Sequence, residues 1–167
     1  MSASGLVTMY DAVDIGAIPV TALAVAGYVD GQWPTLDRLV KAFPRARHIS
    51  IATRATSVAE ILDVESGDAR DDEVVAWLEL AHHHGVTRPG LYASLARWAQ
   101  LLAVTHRAGW RRPRIKVWVA HWTGQPHICG PSCGAHFTTN AGATQYEGAA
   151  PGRPYDTSLA TRTFLKV

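Results

Sequence analysis

Cysteine is scarce in this chain, with only Cys129 and Cys133 among 167 residues. One pair cannot supply a disulfide framework, so the fold has to rest on a hydrophobic core. Long apolar runs are also missing. No stretch approaches the roughly 18 consecutive apolar residues of a membrane span, so no spanning helix is expected. The amino terminus, Met1-Ser2-Ala3-Ser4-Gly5, has neither the basic region nor the apolar stretch of a secretory signal, which implies synthesis in the cytoplasm. Concentrated charge is absent too. The net charge is +2 and the arginines are scattered, without the basic stripe of a nucleic-acid binder. The one cluster, Arg107 with Arg111, Arg112 and Arg114, surrounds an expected helix end, where cations complement the helix dipole.

Several familiar motifs are lacking as well. Gly27-Tyr28-Val29-Asp30-Gly31 has neither the glycine spacing nor the Lys-Ser/Thr of a phosphate-binding loop. Ser50, Ser57, Ser66 and Ser94 stand in no nucleophile-elbow context. His82-His83-His84 looks like a metal tag, but successive helical residues splay by about 100° and cannot converge on one ion.

What is present is ordinary globular material, 47% apolar and 18% charged, enough for one domain over residues 1–167. Short β-rich runs alternate with amphipathic helical runs, the pattern of βα units around a parallel sheet. Strands are expected at Leu6–Tyr10, Val25–Val29, His48–Ala52, Glu60–Val64, Gly90–Ala93, Val117–Ala120, Ala143–Tyr146 and Tyr155–Leu159. Helices are expected near Pro19, from Thr35 to Phe43, from the acidic turn Asp71-Asp72-Glu73 to Gly85, and from an N-cap at Ser94 to Gly109. After Pro113 the helical signal vanishes. The fold class is therefore α/β, a shortened TIM-like (β/α) barrel of eight strands with helices mainly between the first five to six. A full barrel takes about 250 residues, so losing the late helices is what lets this chain close one. An open doubly wound sheet is the structural rival.

In such barrels functional side chains gather at the carboxyl ends of strands. Here those ends carry Tyr10-Asp11, Tyr28-Val29-Asp30, Asp63-Val64-Glu65, His121-Trp122 and Gln145-Tyr146-Glu147; Tyr92 lies on the fifth strand and Tyr155-Asp156 opens the eighth. Strand side chains alternate faces, so Asp63 and Glu65 would share the barrel mouth while Val64 packs outward. Two carboxylates in a dry cleft repel, and one is driven to hold a proton. A protonated acid beside an ionised one is what glycosidic bond cleavage requires. Taken alone, an Asp-x-Glu at a strand end more often just caps the next loop.

Read in order, Tyr10-Asp11, Ala26-Gly27-Tyr28, Ile61-Leu62-Asp63-Val64-Glu65, Leu91-Tyr92-Ala93, Trp118-Val119-Ala120-His121-Trp122, Gln145-Tyr146 and Tyr155-Asp156 resemble the glycoside hydrolase family 25 muramidases. The match is nearer to a short family 25-like group of actinobacteria and their phages, and it spans Met9 to about Leu159. The resemblance implies a shortened barrel that cleaves peptidoglycan between N-acetylmuramic acid and N-acetylglucosamine. It implies Glu65 as general acid, Asp63 as its neighbour, and Asp11 and Asp156 as the rest of an acidic floor. It places Tyr28, Tyr92, Trp122 and Gln145 against sugar, whereas Trp118 reads as core. His121 sits in the same expected cleft. No cofactor is implied. With no export signal, such a protein would reach the cell wall, or join a phage particle, only after release. A non-catalytic glycan-binding or virion- or wall-associated domain on the same scaffold is the second reading, and a purely structural barrel the third.

His127, Cys129, Cys133 and His136 form a His-x-Cys-x3-Cys-x2-His cluster in a Gly- and Pro-rich loop. These donors suit tetrahedral zinc. The spacing matches common zinc knots only weakly, so a local disulfide or two free thiols stand beside zinc as readings.

Overall fold

Eight strands hydrogen-bond in chain order and close into a barrel. They are β1 (Leu6–Asp11), β2 (Ala24–Tyr28), β3 (Arg47–Ala52), β4 (Ile61–Asp63), β5 (Gly90–Ser94), β6 (Lys116–Ala120), β7 (Ala143–Glu147) and β8 (Asp156–Thr161). The computed structural model describes residues 5–134 and 137–166. Helices α1 (Leu36–Ala42), α2 (Val74–His83) and α3 (Trp98–Arg107) follow β2, β4 and β5, and a last turn, α4 (Arg162–Leu165), follows β8. The α/β barrel with late helices missing is therefore the observed fold. Among the described residues, no helix is long and apolar enough to cross a membrane.

Covering on both faces explains the apolar strands. On β6, Val117 and Val119 pack outward with Trp77, Leu78, Trp98 and Leu101 of α2 and α3. Trp118, between them, points into the barrel with Met9, Ile49, Ile61 and Tyr92. Each fully buried indole has an acceptor. Trp77 Nε1 donates to Ser57 O at 2.8 Å, Trp98 Nε1 to Ala93 O at 3.1 Å and Trp118 Nε1 to Ser158 Oγ at 3.0 Å. These bonds remove the penalty of burying an unpaired N–H.

The end of the barrel remote from the strand-end acids is plugged. Phe164 of α4 is 1% exposed and lies under the ammonium of Lys116, 5.1 Å from the ring centroid. Lys116 is buried on the barrel interior, and its Nζ bonds Glu60 Oε2 at 2.6 Å. Arg47 grips both Glu60 oxygens at 2.7 Å. Burial alone would raise the Glu60 pKa, but Lys116 and Arg47 outweigh it and hold the carboxylate below its usual range.

Four expectations need correction. The barrel is not wholly parallel: β8 runs antiparallel to both β1 and β7. Only residues 148–155 join β7 to β8, and a parallel return needs a crossover of a dozen residues or more. Near Pro19 there is no helix but a 3-10 turn at Ile15–Ala17, capped by Asp14, whose carboxylate accepts from Gly16 N. Ile18 is extended, as a residue preceding proline must be. Ser94 ends β5 and stands at the cap position but makes no side-chain capping bond, and the next helix opens as a 3-10 turn, Leu95–Arg97. Strand β4 is also shorter than the expected Glu60–Val64, so Val64 as well as Glu65 lies beyond its end.

Candidate functional site

The barrel register assembles the acids. On the β1–β8 ladder Asp11 stands directly opposite Asp156, and on the β4–β5 ladder Asp63 stands opposite Tyr92. In a parallel β8, Asp156 would open the strand at the plugged end. The reversal of β8 instead brings its first residue to the rim where the parallel strands finish. Val64 turns outward and is fully buried among the α2 and α3 side chains, so Asp63 faces the barrel mouth and Glu65 follows on the rim.

The site has two tiers. Asp11 and Asp63 are the floor, 6% and 3% exposed, while Glu65 and Asp156 are half-buried and reach solvent. Gln145 Nε2 donates to Asp11 Oδ2 at 3.0 Å, and Tyr92 Oη donates to Gln145 Oε1. Tyr28 Oη donates a long bond, 3.4 Å, to Asp63 Oδ2, and the buried Asp63 Oδ1 has no partner.

All four acids hold protons more tightly than free carboxylates. Burial raises Asp63 to about 8, helped by the charges of Glu65, Asp68 and Asp11. Burial, with the facing Asp156 next in weight, pushes Asp11 well up despite the bond from Gln145. Glu65 is raised by burial and by Asp68, with Arg97 opposing. Burial raises Asp156 too, against the amide of Ala149, which donates to its Oδ1 at 2.5 Å. Such clustered perturbation, at an accessible mouth, is typical of groups kept for chemistry.

A series of depressions runs along the rim from Glu65. One of about 360 Å³ is lined by Glu65, Ser66, Ser94 and Arg97. A larger one, about 500 Å³, begins two residues further along the same loop, at Gly67 and Asp68, and is lined also by Arg54 and Arg70. A third, about 260 Å³, shares Asp68 and contains Tyr28 and Trp33. The last two share Gly31, Gln32, Thr53 and Asp68 and so form one continuous groove beside the acids.

The expected ligand-contacting residues divide. Trp122 is 54% exposed at the rim, its ring beside Gly148 and next to Asp156. Tyr28 lines the groove. Tyr92 and Gln145 lie in the floor below, 7% and 2% exposed, where they hold Asp11. Trp118 is core, as expected. Asp30 is a loop tie: its carboxylate accepts from Thr53 N, Thr53 Oγ1 and Arg54 N. His121 lies against His127 and Cys129 rather than against the acids. His136 lies outside the described residues. Sequence reasoning missed Trp33, 55% exposed and lining the groove, and Arg97, which faces Glu65. Trp33 had a readable signal, an aromatic in the loop just after a strand end. Arg97 had none, since its position depends on the 3-10 turn that opens α3.

No family model matches the chain. No curated protein matches it either. Among solved structures it is similar to a 1.07 Å crystal structure of an uncharacterized B. stearothermophilus protein, with a TM-score of 0.64. The identity is 17%, over 95% of this chain and 98% of that one. At that identity the likeness establishes the shared fold alone.

Proposed function

We propose that this barrel is a peptidoglycan-directed glycoside hydrolase of the kind its family 25 muramidase resemblance implies. The observation that carries the reading is the meeting of Asp11, Asp63, Glu65 and Asp156 at one end of the barrel, two in its floor and two on its rim, with every proton affinity raised. Glu65, reached from solvent, delivers its proton to the glycosidic oxygen as the bond to the anomeric carbon breaks. Asp156, the other accessible carboxylate, stabilises the positive charge that develops on the sugar. Water then adds to the anomeric carbon, and its proton returns to Glu65. The protonated Asp63 keeps a further negative charge out of the floor beneath Glu65 and Asp156. The groove beside the acids and the exposed Trp33 and Trp122 suit a glycan, because sugar C–H faces stack on aromatic rings.

A second reading, a glycan-binding domain without catalysis, is favoured by Arg97. Its charge opposes protonation of Glu65. One experiment separates the two. Purified peptidoglycan is incubated with the wild type and with Glu65→Gln, and new reducing ends are counted alongside wall binding. The hydrolase reading expects release by the wild type alone, with binding retained by both. Binding without release by either protein establishes the second reading instead.

A further inference from the structure

We propose that His121, His127, Cys129 and Cys133 form a structural zinc site that staples the β6–β7 connection. The proposal is independent of the glycosidase reading.

The need for a staple comes from topology. Strands β6 and β7 are parallel neighbours, and a parallel pair requires a crossover, normally a helix. Here residues 121–142 make the crossing with only a 3-10 turn at Pro131–Cys133 among the described residues. Irregular connections longer than about 12–15 residues are uncommon inside a compact fold. This one nevertheless packs inward. Cys129 and Phe137 join the outer core cluster, and Phe137 meets Trp98 at 5.9 Å. Something beyond sparse backbone bonding has to fix it.

The geometry points to a metal. One donor atom from each of the four side chains lies within 4.8 Å of all the others. His121 Nδ1 is 3.0 Å from His127 Nε2 and 3.3 Å from Cys129 Sγ, and the latter is 3.6 Å from His127 Nε2. A tetrahedral zinc, about 2.0–2.1 Å from nitrogen and about 2.3 Å from sulfur, separates its ligands by roughly 3.3–3.8 Å. Both cysteines are free thiols rather than a disulfide.

The surroundings prepare the ligands. His127 Nδ1 lies 2.8 Å from the carbonyl of Gln125, so it is the donor there, and Nε2 is left as a lone pair aimed at the cluster. The Cys129 amide donates to Thr144 Oγ1 on β7 at 2.8 Å, and the Cys133 amide to Gly130 O at 2.9 Å. The His121 amide donates to Gln145 O at 2.9 Å, anchoring the first ligand at the end of β6. Two thiols losing their protons to solvent, with two neutral imidazoles, cancel the 2+ charge of the ion. That neutrality suits a half-buried position. Sequence spacing offers His136 as the fourth ligand; the fold supplies His121 from the strand end. Trp122 follows His121 directly, so the same ion would fix the part of the rim beside Asp156.

The test is metal content and cobalt spectroscopy on the full chain, purified with reductant and without chelator. The expected result is one zinc per chain. Cobalt(II) added to metal-free protein should give the thiolate charge-transfer and tetrahedral d–d bands. Losing an outer-shell partner alone costs about 10–100-fold in affinity, so His121→Ala and Cys133→Ser should each weaken binding by more than about 100-fold. His136→Ala should leave it unchanged. Zinc should raise the Tm of the wild type and not that of Cys133→Ser. Wild type that takes up neither metal while folded, a Cys129–Cys133 disulfide in the reduced preparation, or loss of metal with His136→Ala but not with His121→Ala would each overturn the proposal.

Discussion

Replacing Asp63 by Asn should make the protein more stable, and the gain should grow with pH. Asp63 is 3% exposed and its pKa is pushed up to about 8, first by burial and then by Glu65, Asp68 and Asp11. In the unfolded chain the same group titrates near 3.9. Below about pH 4 both states carry the proton, so the carboxyl and the isosteric amide should be nearly equivalent there. Between about pH 4 and pH 8 the native state keeps a proton that the unfolded state has released, and wild-type stability falls by about 1.4 kcal/mol per pH unit from this group. Above about 8 both states are ionised and the deficit is constant, at roughly 5–6 kcal/mol as an upper bound. Asparagine never ionises and escapes it. The amide fills the same volume: its oxygen can accept from Tyr28 Oη, and its NH2 at the Oδ1 position is left without an acceptor just as the proton of the neutral carboxyl is. Urea unfolding of both proteins at about pH 4, 6 and 8 measures the difference. Even a third of the bound, about 2 kcal/mol at pH 8, is readily resolved from midpoints. A stability difference that stays flat across that range, or a variant less stable than wild type at pH 8, refutes the account of Asp63 as a proton-holding floor residue.

At the plugged end the sign reverses. Glu60→Gln leaves buried Lys116 without its carboxylate, which should cost about 3–5 kcal/mol near neutrality, read as a lower urea midpoint. Because pairing holds the Glu60 pKa down, that contribution is present above its unfolded pKa and disappears as the pH falls through the native one, so the two proteins should converge in acid. Gly27→Ala should destabilise by about 1–3 kcal/mol, since its Cβ would come within 2.5 Å of Leu39 Cδ1 and 3.1 Å of the Leu36 backbone, so buried Leu39 has to repack and the start of α1 has to give by a few tenths of an ångström; an unchanged Tm would show that α1 has more freedom than the packing allows. Trp33→Ala should weaken retention on peptidoglycan several-fold without changing Tm, and equal retention would confine the ligand to the rim near Glu65.

How far the sequence could be read depended on whether the relevant physics was local. Strand positions were legible because buried parallel strands are short apolar runs between turn residues, and seven of them needed no knowledge of their partners. The direction of the eighth strand was not legible in its own residues, which look alike either way. It could have been inferred from the brevity of 148–155. That inference carries the site with it, because Asp156 begins its strand while Asp11 and Asp63 end theirs, and only a reversed β8 brings all three to the same end of the barrel. The alternation of Asp63 and Val64 was legible for the same local reason as the strands. The tiers were not: that Asp63 is floor and Glu65 is rim depends on β4 stopping at Asp63, a length fixed by its neighbours on the ladder. The His and Cys donors show the same division. Spacing pointed to His127, Cys129 and Cys133, whereas the approach of His121 follows from the end of β6 and the path the crossover takes from it. Residues that act together here are those that closure of the barrel brings into register, and chain spacing predicts such a group only where its members share one strand or one turn.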